Sequence, residues 1–395
     1  MPIRYPLVLL LVGALALLLA LRRARRRGRW RMVRAWRSRT LARRLFARHG
    51  ANGVSYFATM GRTVRWVDPC RHGVVAYRVF GRTALAIGDP LAAPEHLPDV
   101  LAGFLAHCRR QGWTPAFYQT IDATLPHYRA HGLRAFAIGR EAIVDLPSFT
   151  LQGKRMANVR HSVTHAERAG ARMRFYAADR LPHSVRHDLR SISDEWLAAK
   201  GGAEMGFTMG RLSPDGRPSW GARVAVASNA AGDAQAFITL IPAGGGRGWM
   251  LDMMRRRRDV ESGTMDLLIA RAAEALRDEG FATLSLSLAP LASAEEDGED
   301  APALACKARE LLYEKMGGAY SYRSLFTYKN KFGVRWEPRY LVYAGDAALP
   351  MALLATLRAH LPAPAGLVRR LPPARWLPGG QWRRGKQSVA GQRAA

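Results

Sequence analysis

The stretch Leu251-Asp252-Met253-Met254-Arg255-Arg256-Arg257, followed by Ser262-Gly263-Thr264-Met265-Asp266 and closing on Leu286-Ser287-Leu288-Ala289-Pro290-Leu291, decides how this chain folds. Strand alternation over 249–254 sets Met250, Asp252 and Met254 on one face and Trp249, Leu251 and Met253 on the other, which places an acid among apolar neighbours. A carboxylate there needs a partner, and either Arg255 or a bound ammonium group would serve. Ser262 reads as the cap of a helix whose apolar face is Met265, Leu268, Ile269, Ala272 and Leu276, with Gly280 ending it. The strand that follows, 281–288, alternates Leu284, Leu286 and Leu288 with Thr283, Ser285 and Ser287. The leucines belong in the core; the hydroxyls face either solvent or a cleft.

Working outward, strands at 223–227, 235–241 and 249–254 form an antiparallel meander, with Gly244-Gly245-Gly246 in its last hairpin. Nearer the amino terminus, strands at 74–80 and 83–87 meet at Gly81 and end in the turn Gly88-Asp89-Pro90. Leu97, Val100, Leu101, Phe104 and Leu105 then recur at helical spacing up to Gly112. A strand at 114–119, a short helix at 125–130 and a strand at 141–145 complete a first alternating unit. A strongly basic helix over 153–169 carries Lys154, Arg155, Arg160, His161, His165 and Arg168. Strand 172–176 and helix 185–200 open a second unit. Beyond its meander, an acidic loop at 295–300, a helix at 305–316 and a strand at 326–329 are expected. Two consecutive α+β units of similar size indicate a tandem repeat of one fold.

At 395 residues, 48% of them hydrophobic, the chain is long enough for two compact domains. Its formal net charge of +29 points to polyanionic partners, either nucleic acid or anionic lipid headgroups. Residues 5–21 form an uncharged apolar run, short for a membrane span but flanked by Arg22, Arg23, Arg25, Arg26 and Arg27 with no small-residue cleavage site. The positive-inside rule then puts the amino terminus outside and the remainder in the cytoplasm, as a single-pass protein of the cell membrane. The basic segment 22–48, with Trp30, Trp36, Leu41, Leu45 and Phe46 interleaved, suits a helix lying on an anionic leaflet. The expected division is an anchor at 1–21, a basic linker at 22–51, a first domain at 52–170, a second with the cleft at 171–345, and a basic Pro/Ala-rich tail at 346–395. Cys70, Cys108 and Cys306 are scattered, which argues against a disulfide framework or a Cys-rich zinc site.

Several blocks, in order, give a family resemblance: Gly88-Asp89-Pro90, Ile138-Gly139-Arg140-Glu141-Ala142, Ile192-Ser193-Asp194-Glu195-Trp196-Leu197, Glu204-Met205-Gly206-Phe207, the opening stretch, and Lys331-Phe332 to Trp336-Glu337-Pro338-Arg339-Tyr340-Leu341. From about Val54 to Tyr343 the chain resembles the cytosolic synthase domain of the lysyl- and alanyl-phosphatidylglycerol synthases. The resemblance implies tandem GNAT (acetyltransferase-like) domains with mixed sheets, and the apolar run at 5–21 adds one N-terminal transmembrane helix before them. It implies transfer of an amino acid, lysine or alanine, from aminoacyl-tRNA to phosphatidylglycerol or a related lipid. The added positive charge would weaken attraction of cationic antimicrobial peptides. The resemblance carries cleft roles to Asp252, Arg255, Glu337 and Arg339, and to Glu204. Asp252 suits the substrate's α-ammonium, Glu337 or Glu204 a base, and Arg255 or Arg339 a phosphate or oxyanion contact. Phe207, Ser285, Ser287 and Lys331 follow as substrate contacts, and Arg160 and His161 as contacts to tRNA or headgroup. Aminoacyl-tRNA enters as co-substrate, with no cofactor and no metal; the partners are that tRNA, anionic phospholipid and the membrane.

This sequence departs from the family pattern at Met205, Ser287 and Leu288, which bears on amino-acid and lipid specificity. Arg277-Asp278-Glu279-Gly280-Phe281-Ala282 has the letters of a coenzyme A pyrophosphate loop but sits where a helix ends rather than begins. The pairs His127/His131 and His161/His165 have metal-ligand spacing without the supporting Glu or Cys. Two other functions remain open: transfer to a peptide or polyamine acceptor, or a non-catalytic, membrane-tethered protein binding RNA or anionic lipid.

Overall fold

A computed structural model of the chain describes residues 35–61, 63–199, 204, 206–290 and 322–361. The expected anchor at 5–21, the acidic loop at 295–300, the helix at 305–316 and the tail beyond 361 lie outside those residues. Among the described residues no helix is long and apolar enough to cross a membrane.

The described strands join in one mixed sheet, in the order β1-β2-β3-β5-β12-β6-β11-β10-β9-β8-β7, with β4 (Leu91–Ala92) paired to β2. The amino-terminal strands are β1 (Val64–Val67), β2 (Gly73–Phe80), β3 (Thr83–Ile87), β5 (Thr114–Thr120) and β6 (Arg134–Asp145). The carboxy-terminal ones are β7 (Arg172–Ala177), β8 (Arg223–Ser228), β9 (Ala234–Ala243), β10 (Gly248–Arg256), β11 (Thr283–Pro290) and β12 (Arg335–Tyr343). The two parallel pairs are β3 with β5 and β10 with β11. Each is spanned by a crossover helix, α2 (Leu97–Gln111) or α6 (Thr264–Asp278). In both halves a further helix follows, α3 (Leu125–Ala130) or α7 (Tyr322–Asn330), and then a last antiparallel strand. Those last strands are exchanged: β12 pairs with β5 of the first half, and β6 pairs with β11 of the second. The α+β class and mixed sheet expected from the sequence are present.

Local chemistry explains the elements. In α2, Leu97, Val100, Leu101, Phe104 and Cys108 are buried one turn apart, and Gly112 closes the helix with φ +68°. In β8, Ala225 and Ala227 face α6 together with α4 (Ala157–Arg168), while Val224 and Val226 face α5 (His183–Ala199). Helices therefore cover both faces of the second half, and its strands are apolar on both sides. The segment 326–329 is helical within α7 rather than a strand. Its β-favouring residues are overridden by tertiary packing: the Phe326 ring stacks on Trp336 at 4.4 Å, and Lys329 turns inward. The helix α6 begins without a Ser262 cap. Gly263 stands at its N-cap with φ +84°, and an added Cβ there would meet the Ser162 carbonyl oxygen at 2.2 Å, so close packing against α4 chose glycine over a capping side chain. The helix α1 (residues 35–49) packs Ala42 and Phe46 into the protein, with Leu41 and Leu45 partly buried beside them. Those apolar residues are thus withheld from a membrane surface, whereas Trp36 is 65% exposed.

Four registers break in the sheet, at two levels: the breaks of β10 and β11 lie beside Ala142 of β6, and those of β12 and β5 lie beside Ile138-Gly139. Between β12 and β5 the extra residue is Gln119; between β12 and β6 it lies at Ile138-Gly139. Between β11 and β6 the break lies at Leu286-Ser287, and between β10 and β9 the extra residue is Asp252. A bulge twists its strand and re-aims side chains. Gln119 and Ser287 have φ of +63° and +68°, strain seen in non-glycine residues where the surroundings hold it. Gly139, at φ +147°, lies where an added Cβ would meet the Ala289 carbonyl oxygen at 2.4 Å. Gly139→Ala is expected to destabilise the fold by about 1–3 kcal/mol or more, read as a lowered urea midpoint; an unchanged midpoint would contradict the close approach of Gly139 to Ala289.

Candidate active site

Asp252 is the extra residue of the β10 bulge, and the insertion reverses the alternation after it. Met250 belongs to the cluster around Tyr56 and Phe57, Met253 packs with Phe237 and Leu189, and Met254 has moved to the α6 side. Asp252 thus opens between two apolar clusters on the face turned away from α6. Its Oδ1 accepts the Gly210 N–H at 2.7 Å and its Oδ2 faces the Thr239 hydroxyl at 3.5 Å, while that hydroxyl also accepts the Met253 N–H at 3.1 Å. Burial pushes its carboxyl up to about 6, against the opposing pull of the Gly210 and Thr239 bonds and of nearby Arg255. Among the described residues no cation stands within ion-pair distance of it. The expected Asp252–Arg255 pair is not formed.

Arg255 turns instead to Glu204 at 3.0 Å and to the Ser193 hydroxyl, with its guanidinium 5.5 Å from the Trp196 ring centre. The other oxygen of Glu204 meets Arg211 at 3.5 Å. Two residues on, Arg257 pairs with Glu195 at 3.0 Å, and the Arg258 N–H donates to the same carboxylate at 2.8 Å. The block Ile192 to Leu197 is therefore the receptor, on α5, for the arginines that end β10.

The remaining site residues meet at the sheet seam. Arg339 is 3% exposed and donates to Glu141, also 3% exposed, at 2.7 Å, and to Glu337 at 2.8 Å. Ser285 donates to the second oxygen of Glu141, and Ser287 donates to the Leu251 carbonyl beside Asp252. Both hydroxyls are thus committed within the protein rather than turned to solvent. Glu337 is also bound by Arg335; burial raises its proton affinity, but the two guanidinium bonds hold it below the ordinary carboxylate range. It is a poor base.

Sequence reasoning missed three residues of this region. Lys329 is buried and donates to the Ser287 and Leu288 carbonyls at 3.0 and 2.9 Å, fixing the β11 bulge. Burial brings its ammonium down to about 7, opposed by Glu141. Gly210 has no Cβ, and one there would stand 1.8 Å from Asp252 Oδ2. Asp89 is buried and accepts from Thr124 at 2.7 Å and Tyr128 at 3.0 Å, tying the end of β3 to α3. The block Gly88-Asp89-Pro90 was the signal for the last; the other two had none.

Phe207, at φ +65°, lies between Tyr118 and His360 with ring centres 5.9 and 5.5 Å away. It bridges the Asp252 side to α8 (Leu349–His360), where Gly206 N–H donates to the His360 carbonyl at 3.3 Å. Arg160, His161 and Lys331 are not brought to Asp252. The helix α4, bearing the first two, packs with α6 on the other face of the sheet, and Arg160 is bonded to the Leu151 and Gly153 carbonyls. Lys331 pairs with Asp266 at 2.6 Å and lies 4.1 Å from the Tyr328 ring centre. A surface hollow of about 650 Å³ lies between α4 and α6, lined by Glu167, Arg168 and Arg271, away from the bulges.

A doubled α+β protein with a buried Glu141–Arg339 pair where its exchanged strands meet and a recessed Asp252 on β10 is the class that this fold and site define. The chain belongs to the phosphatidylglycerol lysyltransferase C-terminal family, whose model matches residues 43–343. It is 28% identical over 311 residues to the phosphatidylglycerol lysyltransferase of Bacillus subtilis (strain 168), covering 78% of this chain and 35% of that protein. It is 30% identical over 322 residues to the lysylphosphatidylglycerol biosynthesis bifunctional protein LysX of Mycolicibacterium vanbaalenii, covering 80% and 29%. The crystal structure of the C-terminal domain of a putative lysylphosphatidylglycerol synthetase from Agrobacterium fabrum matches with a TM-score of 0.72 at 28% identity, covering 82% of this chain and 97% of that one. The structure of L-PGS from Bacillus licheniformis matches with a TM-score of 0.71 at 25% identity, covering 81% and 95%. The chain spans about a third of the length of these curated relatives.

Two outcomes follow from the Asp252 geometry. The folded carboxyl holds its proton up to about 6 against an unfolded value near 3.8, so between those values the folded state binds the extra proton. Stability attributable to Asp252 therefore falls as pH rises through that window, and Asp252→Asn flattens the slope in urea titrations compared at each pH. Gly210→Ala is expected to push the carboxylate off the Gly210 N–H that lowers its pKa, so that its titration, followed by carboxyl NMR, moves further up; an unmoved titration would show that the close approach is unimportant.

Proposed function

We propose that this chain transfers an aminoacyl group, lysine or alanine, from aminoacyl-tRNA to a hydroxyl of phosphatidylglycerol or a related membrane lipid. The two halves would be acetyltransferase-like units, a reading supported by their repeated parallel crossovers. The observation that carries the proposal is the Asp252 carboxylate: recessed between apolar clusters, bound by neutral donors and lacking a cationic partner among the described residues, it is a seat for the ammonium of an aminoacyl ester. Family membership supplies the acceptor class, since relatives of this chain are named for phosphatidylglycerol. The net charge of +29 supports the polyanionic co-substrate.

The reaction joins the lipid hydroxyl oxygen to the ester carbonyl carbon and breaks that carbon's bond to the tRNA ribose oxygen. The hydroxyl proton ends on the released ribose oxygen. The ester is already activated, so positioning and stabilisation of charge contribute more than a strong base. Arg255 positions Glu204 at the rim, and Arg339 with Glu141 holds the seam against which the substrates lie. The basic helix α4, on the far face, offers phosphate contacts to the body of the tRNA rather than to the reacting ester. The apolar run 5–21 would tether the chain to the cell membrane with these domains in the cytoplasm.

Mass spectrometry of lipid extracts from cells expressing the chain is expected to show an aminoacylated lipid. Asp252→Asn and Arg255→Ala, checked for folding by circular dichroism, should each lower its formation roughly 10- to 100-fold, the worth of a charged hydrogen bond. An unchanged lipid profile with wild-type protein, or full activity of folded Asp252→Asn, would refute the assignment.

A further inference from the structure

The helix α8 presents two unlike faces. Leu349, Ala352, Leu353, Ala355 and Ala359 are buried against Tyr118, Phe136 and Leu341. On the opposite side Met351, Leu354 and Leu361 are 49%, 36% and 54% exposed, at a spacing that forms one ridge along the helix, with Arg358 exposed in the same row. A soluble face of this length ordinarily carries polar residues, so Met351, Leu354 and Leu361 in one row, interrupted only by Arg358, mark a surface that meets something apolar.

Charge states what that is. No Asp or Glu follows Asp346, whereas Arg358 is succeeded by Arg369, Arg370, Arg375, Arg383 and Arg384. An apolar row that holds Arg358, in a chain whose sequence beyond it carries basic residues and no acid, matches an anionic bilayer, where apolar side chains enter the acyl boundary and basic ones add attraction. We infer that the outer face of α8 docks on an anionic lipid bilayer and brings the 206–210 segment near the membrane. The helix is joined to the site by its own last turn. His360 accepts the Gly206 N–H through its carbonyl, its ring meets the Thr208 hydroxyl at 3.1 Å, and Phe207 packs against it. Met209, 39% exposed, stands in the same segment one residue before Gly210, whose N–H holds Asp252. Docking would therefore bring lipid headgroups beside the segment that shapes the Asp252 seat. This purpose rests on the proposed lipid acceptor; the docking itself does not.

The test uses the full chain reconstituted with phosphatidylglycerol-containing vesicles that carry nitroxide-labelled lipid. In a Cys70→Ser, Cys306→Ser background, Leu354→Cys carries an environment-sensitive fluorophore. A control carries it at Arg110→Cys, exposed on α2, which packs on the other face of the first-half sheet. The label at 354 is expected to shift to the blue and to be quenched several-fold more than the label at 110. Adding Met351→Glu, at an exposed position, should reverse most of that quenching. Equal quenching at 354 and 110 overturns the inference, as does a blue shift that follows protein concentration without lipid quenching, the signature of a second copy of the chain. Quenching at 354 without any aminoacylated lipid product would support docking and count against the lipid-acceptor reading alone.

Discussion

A buried ion pair at the seam holds the rest of this structure in place. Glu141 of β6 and Arg339 of β12 meet where the exchanged strands lie side by side, each almost wholly removed from water. Two charges are tolerable there only because every neighbour is engaged: Ser285 bonds one oxygen of Glu141, while Glu337 and the Pro338 carbonyl take the remaining donors of Arg339. Removing one partner of such a pair typically costs about 3–5 kcal/mol, because the other charge is left buried alone. Because β6 and β12 each pair across to the opposite half, the same bond that fixes the seam also fixes how the two units face each other.

The bulges re-aim the side chains around that seam. A regular sheet would alternate its side chains and leave no polar opening between layers of leucine and alanine. Insertions at Gln119, Ile138-Gly139, Ser287 and Asp252 shift the alternation in several strands, and Lys329 holds the β11 bulge through two carbonyls. Asp252 gains its recessed position and raised proton affinity from this displacement. Glu204 and residues 206–210 stand outside the sheet, supplying Glu204 to Arg255 and the Gly210 N–H to Asp252. Support for residues 206–210 comes from α8, so the acid, the rim and the outermost helix form one connected body.

Much of this was legible in the sequence because it depends on short-range pattern. The meander ending in β10, the crossover helix α6 and the strand β11 followed from apolar periodicity and glycine stops. The ordered blocks pointed to the family, and the family model confirms it. Single-residue geometry was harder. The expected alternation failed after Asp252 because a bulge has no compositional signature, and the strand expected at 326–329 is helical because Phe326 and Lys329 pack against partners distant in sequence. Leu41, Leu45 and Phe46 had the composition of a membrane-surface helix, yet their apolar sides meet the protein's own core.

The sequence by itself determined that Asp252 would be an acid among apolar residues beside a run of arginines, since strand spacing and residue type suffice for that. Only the tertiary structure decided which arginine pairs with which acid. Arg255 goes to Glu204 and Arg339 to Glu141, leaving Asp252 to a glycine N–H, because pairing follows from the register of exchanged strands and the path of a loop. Those are long-range consequences of packing, and no local pattern encodes them.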